Sequence, residues 1–485
     1  MKLIPLVIAL LFFLPAISQT NPDAIQRRQQ VENNLGPEII YGDTLPKLRL
    51  EDQMAVYNVK GVSIAVIKDY KIDWAKGYGW EDVEEKRPVT TGTRFQAASI
   101  SKSLNSLGLL LLVQKNKIDL DADINNYLKT WKFPYDSLAK GKKISVRNLL
   151  SHSAGLSVHG FRGYEYGDSL PTIVQILNGE KPANSPKIRS MFEPSMKFQY
   201  SGGGTTITQL LVTDLTGMRY EDYMKKNVLD PIGMTNSFFT QPPPPGTKNL
   251  ATAYYSDSKA VKGKYHIYPE QAAAGLWTTP TDLAKYIIES QLEYEGRSAK
   301  VLSQAMMRKR LTPYVDSSVA LGVFLLNKSG EKWFSHNGGN EAFLCTSYGS
   351  LQNGNGVVIM INSDNYAIIP EITNSVAQVY GWKDFYTPTF RKTISVSSDT
   401  LQRYTGKYLM VKDSLSVELC GTGLCIRQNG QPPNGLNLLF NSTTEASIKE
   451  LPNIGIRFYF NAEGKVDRLE VNEAGQKTNC PKIAQ

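Results

Sequence analysis

The sequence predicts a mixed α/β fold of the α+β kind: an antiparallel sheet flanked by helices, an all-helical insert, and a small barrel-like all-β unit at the C-terminal end. Three observations predict it. Alternating, β-branched runs lie at residues 61–79 and return between 319 and 362. The stretch between them, from about 145 to 300, reads mainly as helices and loops. From about residue 395 the texture changes to short alternating runs separated by Gly and Asn turns. Strands on either side of a helical stretch pair most simply in one sheet with the helices beside it. Short, evenly spaced strands with turn residues between them suit a small barrel or sandwich.

The elements follow in order. Lys2, the apolar run Leu3 to Leu14 and the small residues Ala16 and Ser18 read as an export signal with cleavage after Ser18. That apolar run is too short to span a bilayer, and no later segment is long and apolar enough. The expected location is therefore periplasmic or secreted, with no membrane span in the mature chain. Residues 19–45 are polar and read as irregular, and 46–58 can form a helix. GVSIAVIKDYKIDWAKGYG, 61–79, is a hairpin with its break at KDYK. A turn of small residues then runs into the apolar helix around Leu104 to Val113. PPPPG at 242–246 is a stiff excursion. TTPTDLAKYIIESQL, 278–292, starts on a cap-like Thr-Pro and continues as an amphipathic helix. Strands are expected near 319–326, 332–336, 342–348 and 356–362, and a helix at 369–380. The expected domains are a signal at 1–18, a larger mixed α/β domain at 19–390 and a β domain at 395–485.

Composition excludes several classes. Of 485 residues, 41% are hydrophobic and 20% charged, which fits globular domains with large cores. The net charge of +9 is scattered, without a basic stripe, so nucleic acid is not an expected partner. The four His residues, His152, His159, His266 and His336, show no metal-ligand spacing, and no Cys-x-x-Cys occurs, so no metal or cofactor is expected. Cys345 reads as a core thiol. Cys420 and Cys425 flank GTGL, where a disulfide or two reduced thiols on a hairpin both fit. Nothing in the sequence sets an oligomeric state.

The chemistry begins at FQAASISKSLNSLGLLLLVQ, 95–114. Ser-x-x-Lys occurs four times, starting at Ser99, Ser137, Ser256 and Ser329, and only Ser99 opens an apolar helix. Residues three apart share a helix face, which brings Lys102 beside Ser99. A serine hydroxyl is a weak nucleophile until a base takes its proton. A lysine in water is neutral in roughly one molecule of 2500 at pH 7. Burial and the positive end of a helix both favour the neutral amine, so this setting suits a base. A helix start also offers backbone N–H groups to a developing oxyanion. Two later stretches extend the pattern. FQYSGGGTTITQLL, 198–211, places Tyr200 just before a helix, where its hydroxyl can relay a proton. WFSHNGGNEAF, 333–343, is a strand ending in His-Asn-Gly-Gly, whose glycines allow close backbone approach.

In order, Ser99-x-x-Lys102, Tyr200-Ser-Gly and His336-Asn-Gly resemble the three elements of the serine β-lactamase-like superfamily of class C β-lactamases, D-alanyl-D-alanine carboxypeptidases, D-aminopeptidases and esterases. The resemblance covers about 45–385, and ISVRNLLSHSAGL and GLWTTPTDLAKY support it. It implies Ser99 as the acylated nucleophile, Lys102 as its base partner, Tyr200 as proton relay and His336 on the cleft wall. It implies an oxyanion hole from the backbone N–H groups of Ser99 and Gly339. It implies substrate contacts from Ser201, Gly202, Asn337 and Gly338. Tyr164, in a loop-rich wall at 157–197, is a further expected contact, and His152 is expected to be structural support. Two departures stand out. Gly202 replaces the usual Asn, and His336 stands where many members have a lysine or histidine, here without the lysine's fixed charge. Both lean away from efficient β-lactam hydrolysis and toward a peptidase or esterase, and the partner expected is a small molecule or peptide substrate. The alternative from another class is a catalytically weak sensor acylated by β-lactams. The C-terminal β unit resembles the lipocalin-like tails of some relatives.

Overall fold

The computed structural model describes residues 22–485 apart from 411–412, 429–434, 450, 452–453, 474 and 484–485. The expected export signal, 1–18, lies outside the described residues. The chain divides into two compact units. One holds the chain up to Leu35 together with Leu48–Phe385, and the other holds Gly36–Lys47 with Tyr386–Gln485.

The first unit is built on one antiparallel sheet. Its strands are β1 (Gly61–Lys68), β2 (Lys71–Asp82), β3 (Arg87–Pro88), β4 (Phe324–Lys328), β5 (Glu331–Asn340), β6 (Phe343–Ser350) and β7 (Gly356–Ile361), in spatial order 3-2-1-7-6-5-4. The two ends of the sequence pattern meet where β7 pairs antiparallel with β1, Val62 opposite Ile361. Both are central strands, and every residue of GVVIMI is buried, the reason they read as continuous apolar runs.

Helices of this unit include α1 (Pro22–Asn33), α2 (Leu50–Val56), α3 (Ser101–Gln114), α4 (Gly202–Thr216), α5 (Gln271–Ala274), α6 (Pro280–Glu295) and α7 (Ile368–Val379). Helix α3 is buried continuously from Ser101 to Leu112, as expected of a helix that is apolar all round. It is tied to α4 by Asn105 Nδ2, which donates to Thr208 Oγ1 at 2.8 Å. The fully buried Arg310 fastens its other side, donating to Ser103 O, Ser106 Oγ and Tyr286 Oη. Helix α6 starts where Thr279 caps Asp282 N, with Pro280 at its first position, and ends at Gly296 with φ +78°. It packs against β1 and β7.

The second unit is a meander of eight strands, β8 (Gly406–Met410), β9 (Asp413–Cys420), β10 (Gly423–Gln428), β11 (Leu436–Phe440), β12 (Glu445–Ile448), β13 (Ile454–Phe460), β14 (Val466–Glu473) and β15 (Gln476–Pro481). Neighbours in sequence are neighbours in space, and a bridge from Tyr408 to Lys482 brings the last strand back to the first. Tyr404, Tyr408, Phe440, Phe458 and Leu469 fill the interior. Within the 19–45 stretch expected to be irregular, Ile39–Tyr41 forms a short strand that runs parallel to Thr389–Arg391 in this unit. Cys420 and Cys425 form a disulfide across the β9–β10 hairpin, while Cys345 and Cys480 are buried free thiols.

Candidate active site

The segment around Ser99 is a single turn of 3-10 helix, Ala98–Ile100, that leads directly into α3. Ala98 holds φ +47°, an uncommon backbone for a residue with a side chain. Neighbours hold the turn in place. Ala97 N donates to Leu276 O at 2.8 Å, and Leu276 N donates to Ser101 Oγ at 3.0 Å. Strand β5 comes equally close, since a Cβ on Gly338 would lie 2.3 Å from Ala97 O.

Lys102 is 4% exposed. Its Nζ lies 3.1 Å from Ser99 Oγ, donates to Ala273 O at 2.7 Å and sits 5.0 Å from the centre of the Tyr200 ring. Ser99, by contrast, is only partly buried and opens on a cleft of about 830 Å³. That is the size of a small-molecule site.

Tyr200 arrives from the segment before α4. Ser201 caps that helix, its Oγ accepting from Gly204 N at 2.9 Å. The Tyr200 ring lies between two imidazoles, 4.3 Å from His152 and 4.8 Å from His159. His152 has φ +53° and pins the segment twice. Its carbonyl accepts from Gln199 N at 2.7 Å and its Nδ1 from Ser201 N at 3.2 Å. Burial, reinforced by the Lys102 charge, holds the His152 pKa well below the usual imidazole value. The ring is therefore neutral, with Nδ1 as the accepting nitrogen.

His336 lies on β5 and is 3% exposed. Its Nδ1–H donates to Asn337 O at 2.6 Å. Burial first, then the Lys102 charge, pushes its pKa down to about 3. His336 is thus a neutral ring at physiological pH.

The structure brings Ser99, Lys102, Tyr200, His336, Asn337, Gly338 and Gly339 to one cleft. Three expected substrate contacts lie elsewhere. Ser201 is 3% exposed and donates to Ser157 O at 2.7 Å, as its capping position demands. Gly202 is buried at the start of α4, with room for a Cβ closed by His159 O and a Phe161 ring carbon at 3.1 Å each. Tyr164 is 3% exposed, and its hydroxyl accepts from Asn184 N at 3.2 Å. None of these three lines the cleft. The sequence reading missed the apolar wall, chiefly Phe161, Phe198, Phe324, Leu326 and Leu344, and the Ala273 carbonyl that holds Lys102. The wall has no motif to betray it. Ala273 sits within QAAAGLW, where a small-residue run was the available signal.

No group of His, Cys, Asp and Glu among the described residues could hold a metal ion. No helix among them is long and apolar enough to cross a membrane.

Comparison with known proteins places this geometry. A family model described as Beta-lactamase matches residues 48–370. Protein flp of Staphylococcus aureus strain MRSA252 is 21% identical over 332 residues, 66% of this chain and 60% of that protein. The chain thus spans about 60% of the length of such curated relatives. Among solved structures, the octameric penicillin-binding protein homologue from Pyrococcus abyssi superposes with a TM-score of 0.62 at 22% identity, covering 89% of this chain and 98% of that one. The D-amino acid amidase from Ochrobactrum anthropi SV3 gives 0.57 at 20% identity, covering 73% and 99%. At these identities the likeness to solved structures is one of fold.

Proposed function

This chain belongs to the beta-lactamase family of serine hydrolases, and from that premise we propose that it cleaves an amide or ester through an acyl-enzyme on Ser99. The observation that carries this reading is the buried Lys102 amine 3.1 Å from the Ser99 hydroxyl, on a turn that opens to the cleft. A neutral amine there keeps one N–H on the Ala273 carbonyl and can turn its lone pair toward Ser99 Oγ.

The steps follow from that contact. The Ser99 proton passes to the Lys102–Tyr200 pair as Oγ bonds to the substrate carbonyl carbon. The resulting oxyanion is received by the backbone N–H groups of Ser99 and Gly339. The bond to the leaving oxygen or nitrogen then breaks, and the pair returns the proton to the leaving group. Water repeats the sequence on the acyl-enzyme, releasing a carboxylic acid and restoring the Ser99 hydroxyl. His152 and His159 bracket the Tyr200 ring and act as positioning residues for it.

A peptidase or esterase fits better than an efficient β-lactamase, because His336 supplies no fixed positive charge for a substrate carboxylate. The test is covalent labelling with a fluorophosphonate beside turnover of a chromogenic ester. The adduct is expected on Ser99, and Ser99→Ala should lower kcat/KM by about 10³-fold or more. A stable adduct without turnover would favour the sensor alternative. Turnover that survives Ser99→Ala would defeat the whole reading.

We place the mature protein in the periplasm or outside the cell, on the strength of Lys2, Leu3 to Leu14, Ala16 and Ser18. Amino-terminal sequencing of the exported product should then start at Gln19, and an uncut Met1 would overturn this.

A further inference from the structure

The cleft that holds Ser99 has an unusual balance of groups for a site that would grip a charged peptide end. Among the residues lining it, Lys102 is the one lysine, and no carboxylate or guanidinium is present. Lys102 is already engaged, with Nζ on Ser99 Oγ and on Ala273 O. His336 is a neutral ring that donates to the adjacent backbone carbonyl.

Two amides of the wall make hydrogen bonds within the protein. Thr346 Oγ1 donates to Asn337 Oδ1 at 2.6 Å. Asn340 Nδ2 donates to Gln96 Oε1 at 2.7 Å and to Ala274 O at 3.1 Å. The apolar part of the remaining wall is Phe161, Phe198, Phe324, Leu325, Leu326 and Leu344. Phe324 meets Phe198 edge-on at 6.2 Å and stacks on Tyr200 at 6.4 Å, so the apolar wall continues up to the reacting groups.

An ammonium entering such a site finds no carboxylate, and a carboxylate finds only the Lys102 Nζ, already engaged by Ser99 and Ala273, so giving up water costs either far more than it costs a neutral group of the same size. A hydrocarbon chain gains at every buried methylene. We propose that the substrate group bound beside Ser99 is uncharged and apolar: a neutral ester or amide with an aliphatic or aromatic acyl side, in preference to one ending in a carboxylate or an ammonium. The inference rests on the serine-hydrolase reading and gives it a substrate class. It also assigns a consequence for product release. Hydrolysis turns a neutral carbonyl into a carboxylate, which this wall does not retain.

The experiment uses boronic acids, which add reversibly to an activated serine, in competition with fluorophosphonate labelling of Ser99 in the full chain. Pentylboronic, 4-carboxybutylboronic and 4-aminobutylboronic acids have similar length and differ in the end group. The neutral acid should protect Ser99 at a concentration at least ~10-fold lower than either charged one, the scale set by one uncompensated charge at a partly desolvated wall. From methyl to pentyl, protection should strengthen roughly fourfold per methylene. Equal or better protection by a charged acid, or a flat chain-length series, overturns the proposal while leaving the serine reading intact. Failure of the probe to label Ser99 in the uncompeted control overturns both.

Discussion

Glu270 is the residue whose setting is least explained by the proposed chemistry. It is wholly buried, neither carboxyl oxygen has a hydrogen-bond partner, and burial raises its pKa to about 8. Its ordinary value is 4.5. The folded state therefore holds this proton across a range in which the unfolded chain has released it. Stability from this group is fully present below about pH 4.5 and is lost as pH rises toward 8. Glu270→Gln removes the titration. Its melting temperature should exceed that of the parent at pH 8, by the equivalent of about 1–3 kcal/mol, and match it near pH 4.5. Equal melting at both pH values would show that the carboxyl reaches solvent or a partner. At this same scale, the Ser99–Lys102 contact was legible in the sequence because spacing on one turn dictates it: the two side chains meet at 3.1 Å. Tyr164 and Ser201 were misplaced because a polar residue in a loop looks alike whether it faces a cleft or caps the protein's own backbone. Gly338 had the right position and a different reason. Its missing Cβ makes room for Ala97 O, while a Cβ on Gly339 would meet only Leu344 Cδ2, at 3.3 Å.

Elements were legible where local chemistry and tertiary burial agree. The 61–79 hairpin, the strands between 332 and 362 and the helix announced by Thr279-Pro280 form near their expected limits, while the strand expected at 319–326 forms later, at Phe324–Lys328. Strand β5 was expected to stop near His336 and continues to Asn340, because Asn340 pairs with Phe343 in the hairpin to β6. That extension sets Asn337, Gly338 and Gly339 on a strand rather than in a loop, which suits the oxyanion-binding role proposed for the Gly339 N–H. Helix α1 was unreadable for the opposite reason. PDAIQRRQQVEN has no apolar stripe, and only Ala24 and Val31 are buried. What holds it is charge on a distant strand: Arg27 to Asp73 at 2.6 Å and Lys76 to Glu32 at 2.8 Å. Pairing of Ile39–Tyr41 with Thr389–Arg391 is equally invisible locally, since the two segments are far apart in the chain.

At the scale of the molecule, each unit has its own hydrophobic core. One is centred on α3 and the sheet, the other is the interior of the eight-stranded meander. The Cys420–Cys425 bridge belongs wholly to the second. Chains with separate cores need not unfold in a single step. The bridge closes a loop with a sequence separation of 5, and so short a loop removes little freedom from the unfolded chain, about 2 kcal/mol on the chain-entropy estimate. Cys420→Ser should therefore lower one thermal transition by several degrees and leave the other in place. Titration of the denatured, unreduced parent should find the two thiols of Cys345 and Cys480. Fluorophosphonate labelling of Ser99 at a temperature below both transitions should proceed at the parent rate, because the nucleophile turn is anchored by Leu276 and by β5 within the first unit. Calorimetry with and without the substitution checks the first expectation and timed labelling the second. A single transition that moves as a whole, with a matching loss of labelling, would mean that the β unit supports the site that Ser99 opens on.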